Sequence, residues 1–375
     1  MFWSKWKSGY AGIIRRVEAI DLFKFWVLFF MVEGHLFRTY LLPSFRQQEW
    51  FLLHEVLHGM VAPGFLFSAG FGAFLSYYNK REQATRLNRS FFSRLRRVLF
   101  VVWMGYWIHL PALSLRGTIA SIRAGMTGDF FRTDILQCIG IGLILFLLMT
   151  LLLKREKLIV LISAIFCLGF FLLPAVVKKI DIHFLINPYL NHEISNFPLF
   201  PWAGFLFLGV LAAYAYSILR REIFFRICLI FGAAIFPWYF FFKSETFIKA
   251  ELTLSGNLNK LGGVLVLLWF SERIVRLGKG KAVTLMARAG KESLFVYVLH
   301  LFIIFGSVFS PGLKPLLENT LTVPQAVGLF LLLQAIVFAL SLVYGYLKEK
   351  RQPVWRWGFN AFWAGFFILF AIKRW

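Results

Sequence analysis

Residues 20–35 form the first long apolar stretch of the chain, and it contains Asp21, Lys24 and His35. Ionisable side chains are costly inside an apolar helix, so they mark a pathway or a reactive site. At about 100° per residue, Lys24 lies within about 20° of His35 on a helix, and Asp21 within about 40°. An acid, an ammonium and an imidazole therefore share one stripe. Lys24 and His35 are about 16 Å apart along the axis and do not touch. One elongated ligand reaches both, with an anion near Lys24 and a reactive group near His35. The plainer alternative is a self-neutralising Asp21–Lys24 pair at helical spacing, with His35 a packed core imidazole.

Further candidates follow. His54-Glu55-Val56-Leu57-His58 matches H-E-x-x-H, which puts two imidazoles on one helix face beside a glutamate. A zinc-protease reading needs a third ligand. The next downstream carboxylate, Glu82, is about 36 Å further along the same helix, so no metal is expected unless a ligand such as Asp134 arrives from elsewhere. The other reading makes His54 and His58 part of a polar cluster lining an outer-facing site. Arg132-Thr133-Asp134 opens another apolar run. Asp134 fits either a helix-start carboxylate or a partner that orients a histidine. Tyr297 and His300 share a face at i, i+3, and a mid-membrane imidazole calls for a partner or a wetted cavity.

The elements that carry these residues follow from composition. The chain is 59% hydrophobic and only 16% charged, against about 25% charged in soluble domains. Apolar runs near the length of a bilayer crossing recur. They predict an all-α polytopic membrane protein with about eleven spans (10–12): 17–42, 53–79, 92–113, 131–153, 157–176, 200–219, 223–242, 257–275, 291–310, 324–347 and 357–372. The runs are continuous rather than alternating, which favours helices over a barrel. With the N-terminus cytoplasmic, 27 of the 41 Lys and Arg residues fall on inner segments, the positive-inside bias. The net charge of +23 is then a topology and lipid-headgroup signal rather than a nucleic-acid one, and no nucleic-acid partner is expected. Its densest cluster, Lys80 to Arg97, is also placed to meet cofactor phosphates. Cys138, Cys167 and Cys228 all fall in spans and suggest no disulfide framework. The basic, aromatic start (Phe2, Trp3, Trp6) and the long charged first span suggest an uncleaved anchor. No repeat or soluble domain interrupts residues 1–375, which read as a single transmembrane domain.

Asp21-x-x-Lys24-x(10)-His35, followed by Val61-Ala62-Pro63-Gly64-Phe65-Leu66-Phe67-Ser68-Ala69-Gly70, resembles the membrane acyltransferases related to heparan-α-glucosaminide N-acetyltransferase. So do Asp134-Ile135-Leu136-Gln137-Cys138-Ile139-Gly140 and Phe197-Pro198-Leu199-Phe200-Pro201-Trp202. Ser293-Leu294-Phe295-Val296-Tyr297-Val298-Leu299-His300 is similar to a late helix of the wider superfamily. The set covers most of residues 15–310 in order. The resemblance implies a transmembrane acyltransferase that moves acetyl from cytoplasmic acetyl-CoA to an amine or hydroxyl of an extracytoplasmic glycan or lipid-linked sugar. In the wider superfamily an arginine and a histidine separated by ten residues carry the site, which the resemblance places at Lys24 and His35. Taken with the polar residues above, the catalytic candidates are His35, Asp134, His58 and His54, and the donor-side candidates Lys24, Asp21, His300 and Tyr297. Where the superfamily has arginine and glycine, this chain has Lys24 and Phe25, and lysine offers a point charge instead of a two-pronged phosphate grip. Relatives suggest a homodimer, and the lack of a large lumenal N-terminal portion suggests a bacterial cytoplasmic membrane. The competing class is a transporter or flippase for a lipid-linked or anionic solute, using the same buried charges as a relay.

Overall fold

The structure is a computed structural model that describes residues 17–81, 86–177, 180–237, 254–278 and 280–373. The expected aromatic N-terminus, part of the Lys80–Arg97 cluster (82–85) and the end of the 223–242 span (238–242) lie outside the described residues. Among the described residues the fold is all-helical, with no strand. The longer helices are α1 (Glu18–Tyr40), α2 (Glu49–His58), α3 (Val61–Tyr78), α4 (Arg89–Ile108), α5 (Leu115–Arg123), α6 (Ile135–Leu153) and α7 (Glu156–Leu172). They continue with α8 (Leu199–Ile218), α9 (Arg221–Ile235), α10 (Leu254–Leu277), α11 (Lys281–Lys291), α12 (Ser293–Ile304), α13 (Val323–Lys350) and α14 (Gln352–Ile372). One-turn helices at Pro43–Arg46, Pro174–Val177, Asn187–Leu190 and Lys314–Leu317 sit between them.

Four segments are long and apolar enough to cross a membrane by length and composition: Glu49–Tyr78, Ile135–Leu153, Leu199–Ile218 and Val323–Lys350. Helix α1 is long enough but carries Glu18, Asp21, Lys24, Glu33 and Arg38, so its composition sets it apart from these four. The outward faces of α13 and α14 expose Leu331, Leu332, Val343, Val354, Trp357, Phe362, Ile368 and Leu369. Helices that show such residues outward are matched to lipid rather than to water. The protein is an integral membrane protein.

Two compact units divide the chain. The first comprises residues 1–20, 62–105 and 132–273, and the second 21–61, 106–131 and 274–375. In the first unit α8 packs most extensively against α7 and also against α6. Helices α3 and α8 meet backbone to backbone: a Cβ on Gly70 would overlap the Leu206 carbonyl, and one on Gly209 would overlap the Phe67 carbonyl. This is the close approach that small residues allow between membrane helices. Asp134 caps α6 through a reciprocal box with Gln137, and the Gln137 side chain occupies the space beside Gly105.

In the second unit, α11 and α12 both pack on α13, and α14 packs on α13 and α5. Leu22 and Phe25 of α1 share a core cluster with Ala287 and Ala289 of α11, with Phe338 and Leu342 packed against it. A Cβ on Gly290 would overlap the Asp21 carbonyl of α1. The helix expected at 291–310 begins at Ser293, beside its expected start and just after α11, and ends at Ile304. The 53–79 run is two helices separated at Gly59–Met60.

The α3–α8 crossing supplies a stability test. Gly209→Leu should cost at least about 1–3 kcal/mol, the usual range for overpacking. It should lower the thermal midpoint of the detergent-purified protein, read by fluorescence-detected size exclusion after heating. An unchanged midpoint would disprove the close crossing.

Candidate functional site

The second unit gathers most of the polar side chains singled out in the sequence. His35, on α1, is half-buried and stacks on His300 of α12 with ring centroids 5.2 Å apart. His35 Nδ1 lies 3.1 Å from His300 Nε2. His300 is fully buried, and its Nδ1 lies 3.0 Å from the Val296 carbonyl oxygen. A carbonyl only accepts, so His300 Nδ1 carries the hydrogen. In an uncharged ring Nε2 is then the acceptor, and His35 Nδ1–H must donate to it. The remaining lone pair of His35 is thereby placed on Nε2. Such an atom can take a proton from a nucleophile or attack an acyl carbon.

Neighbouring contacts lock this pair. Phe305 packs edge-on against His35 at 5.4 Å, and Tyr297 edge-on against His300 at 5.6 Å. Thr39 donates to the His35 carbonyl at 2.7 Å, and the Tyr40 hydroxyl donates to the Ile304 carbonyl at 2.8 Å. The end of α1 is laced to residues 319–321 through Asn319 N–H to Thr39 O (3.0 Å) and Leu321 N–H to Tyr40 O (2.8 Å).

A second cluster stands on the other side of α1. Glu33 precedes His35 by two positions, about 200° around the helix. Its carboxylate meets both imidazoles of the H-E-x-x-H segment: Oε1 is 2.6 Å from His54 Nε2, and Oε2 bonds His58 Nε2. The two rings have centroids 4.2 Å apart, as the i, i+4 spacing requires. His58 is buried against Gly34, where a Cβ would fall inside its ring. Glu55 is taken by Arg38, whose Nε lies 2.8 Å from each carboxylate oxygen. Glu55 also sits 3.6 Å from His54 Nδ1.

The other predicted residues have definite places. Asp21 is buried and Lys24 half-buried on α1, about four and about three turns from His35 on the same stripe. Asp134 belongs to the first unit, where its carboxylate accepts from Ile135 N–H at 2.7 Å; the helix-start reading describes its contacts. Glu33 escaped the sequence reasoning. It lies off the Asp21–Lys24–His35 stripe, and the search for a third ligand ran downstream of His58 rather than upstream. Its signal was present: a carboxylate in an apolar run, next to a glycine. A cleft of about 110 Å³ between α11 and α13 is lined by Arg288, Lys291, Lys350, Glu292 and Glu349, with Lys348 holding Glu292 at 2.8 Å.

The family model for the heparan-alpha-glucosaminide N-acetyltransferase catalytic region matches residues 16–246. Comparison with curated protein sequences finds no match.

Gly34 tests the second cluster. Gly34→Ala should displace the His58 ring and lower the thermal midpoint. Gly72→Ala, on a helix where a Cβ meets only open space, should leave it equal or higher, since Ala outranks Gly in helices by about 1 kcal/mol. Equal midpoints for G34A and the parent would refute the packing described.

Proposed function

The chain belongs to the heparan-α-glucosaminide N-acetyltransferase catalytic family, and from that membership we propose that this membrane acetyltransferase takes acetyl from cytoplasmic acetyl-CoA. The acceptor is an amine or hydroxyl of an extracytoplasmic glycan or lipid-linked sugar. The N-terminus is cytoplasmic and about eleven helices cross the bilayer, which is the arrangement that puts most of the Lys and Arg residues inside. Bacterial cytoplasmic membrane is the location this architecture fits. On that topology α1 runs from the donor side at Asp21 and Lys24 to the acceptor side at His35. Lys24 is placed to meet an anionic part of the donor. The cationic lining of Arg288, Lys291 and Lys350 faces the same side and adds to the attraction for its phosphates.

The observation that carries the reading is the His35–His300 pair. In a direct transfer, the acceptor N–H or O–H attacks the thioester carbon while His35 Nε2 takes its proton. The carbon–sulfur bond then breaks, and the departing thiolate receives that proton. His35 Nδ1–H still donates to His300 Nε2 throughout, which favours the transient imidazolium. In the relayed route His35 Nε2 attacks the thioester carbon first, the carbon–sulfur bond breaks and the coenzyme leaves as thiolate. The acceptor then attacks the acetyl carbon, the bond to His35 Nε2 breaks, and the acceptor's proton passes to the thiolate. Labelled donor without acceptor distinguishes the routes: acetyl trapped on His35 marks the second.

His35 is the catalytic residue and His300 a positioning residue. His35→Ala should lower acetyl transfer from labelled acetyl-CoA by at least about 10²-fold, the lower bound for loss of a general base, with the elution profile unchanged. His300→Leu should lower kcat while leaving the KM for acetyl-CoA near the parent value, and His300→Gln, which keeps an acceptor, should recover part of the loss. Full activity in His35→Ala would remove the proposal.

A further inference from the structure

We propose that Glu33, His54 and His58 form a binding site for one divalent transition-metal cation, with zinc the best match, on the face of α1 opposite His35. One ligand atom from each residue lies within 4.8 Å of the others. A tetrahedral zinc ion with bonds of about 2.0–2.1 Å needs ligand separations of about 3.4 Å, so small side-chain movements close the cage. Two imidazoles and one carboxylate are a ligand set zinc favours, with the fourth position left for water or another oxygen.

The surroundings of His54 point to a cation independently of that spacing. Its Nε2 faces the Glu33 carboxylate and its Nδ1 faces that of Glu55. An uncharged ring has one N–H and serves only one of these anions, so the pair calls for a further cation at the ring, a proton or a metal ion. His54 Nδ1 is buried and has no hydrogen-bond partner. A metal ion on Nε2 removes the conflict: Nδ1 then carries the hydrogen toward Glu55, and Glu55 is in turn held by Arg38. A carboxylate behind a ligating histidine is the usual outer support of such sites. Binding displaces the protons now shared between Glu33 and the two rings.

The same geometry separates this site from a zinc protease. There the glutamate of H-E-x-x-H must face the metal-bound water. Here Glu55 lies on the remote nitrogen of His54, and both of its oxygens are engaged by Arg38. The ion braces α1 against α2.

The test uses the full chain purified in detergent, stripped by a chelator and dialysed against zinc or cobalt(II) alone. The parent should retain about one ion per chain, the occupancy of a single three-ligand site, counted by elemental mass spectrometry. Glu33→Gln and His54→Ala should each weaken binding by more than about 100-fold, beyond the 10–100-fold typical of outer-support loss. Glu55→Gln should fall within that smaller range. His35→Ala should bind metal as the parent does, so the result is independent of whether acetyl transfer occurs. If the ligand variants do not fold, X-ray absorption at the zinc edge of the parent decides: two imidazoles with oxygen support the site. A folded parent that holds no metal, a zinc spectrum without imidazole, or undiminished binding in the folded ligand variants would each overturn it.

Discussion

Polar groups on a helix in hydrocarbon must find partners within the protein, because no water is there to solvate them. A packed protein interior makes the same demand, and helix α1 meets it at several positions. It carries ionisable side chains from Asp21 to Arg38, and the partners of those in its C-terminal half are on neighbouring segments of the same unit. Glu33 meets α2, His35 meets α12, and Arg38 meets Glu55. Because Glu33 and His35 point roughly 200° apart, their partners hold the helix from opposite sides. A slip of one residue would rotate every one of these groups by about 100° and leave each without its counterpart. The rotational setting of α1, and hence the direction of the His35 ring, answers to these polar demands as well as to its buried apolar side chains.

Close approach is the second requirement, and glycine meets it at particular points. Gly34 makes room for the His58 ring, and Gly290 lets α11 lie against the α1 backbone at Asp21. Without the first, His58 could not reach Glu33. The second sets the N-terminal half of α1 on α11, where Leu22 and Phe25 complete the apolar packing. Helix α1 is therefore clamped by packing at one end and by polar contacts at the other.

Much of this was legible in the sequence. The apolar runs mark the helices, since hydrocarbon-length periodicity depends on composition alone. The stripe containing His35 was readable for the same reason, and His300, an imidazole in an apolar helix, required a partner that the structure supplies as His35. What pattern could not provide was distance between separate helices. The ambiguity of Asp134 between cap and orienter is of this kind: both readings need the same residue at the same helix start, and only contacts with Gln137 and Ile135 show what its carboxylate does. Glu33 was hidden differently. Its position on the opposite face from the stripe made it look unrelated, and its partners are more than twenty residues away in sequence. The break at Gly59–Met60 was also silent, because it does not interrupt the apolar composition enough to register.

The two faces of α1 suggest how H-E-x-x-H can occur in an acetyltransferase. The spacing that suits a hydrolytic zinc site also suits any pair of imidazoles that must grip a carboxylate on a crossing helix, since i, i+4 stacks both rings on one side. What separates the uses is the glutamate between them. When it is engaged by an arginine, as Glu55 is by Arg38, it supports the histidine from behind and is not available to a water in front. The motif then serves to position α1. Transfer chemistry is sensitive to placement: reacting atoms must be held near contact distance, and displacement by about 1 Å costs about 10²-fold. On the proposed reading, a rigid attachment on one face of the helix serves the placement of His35 on the other.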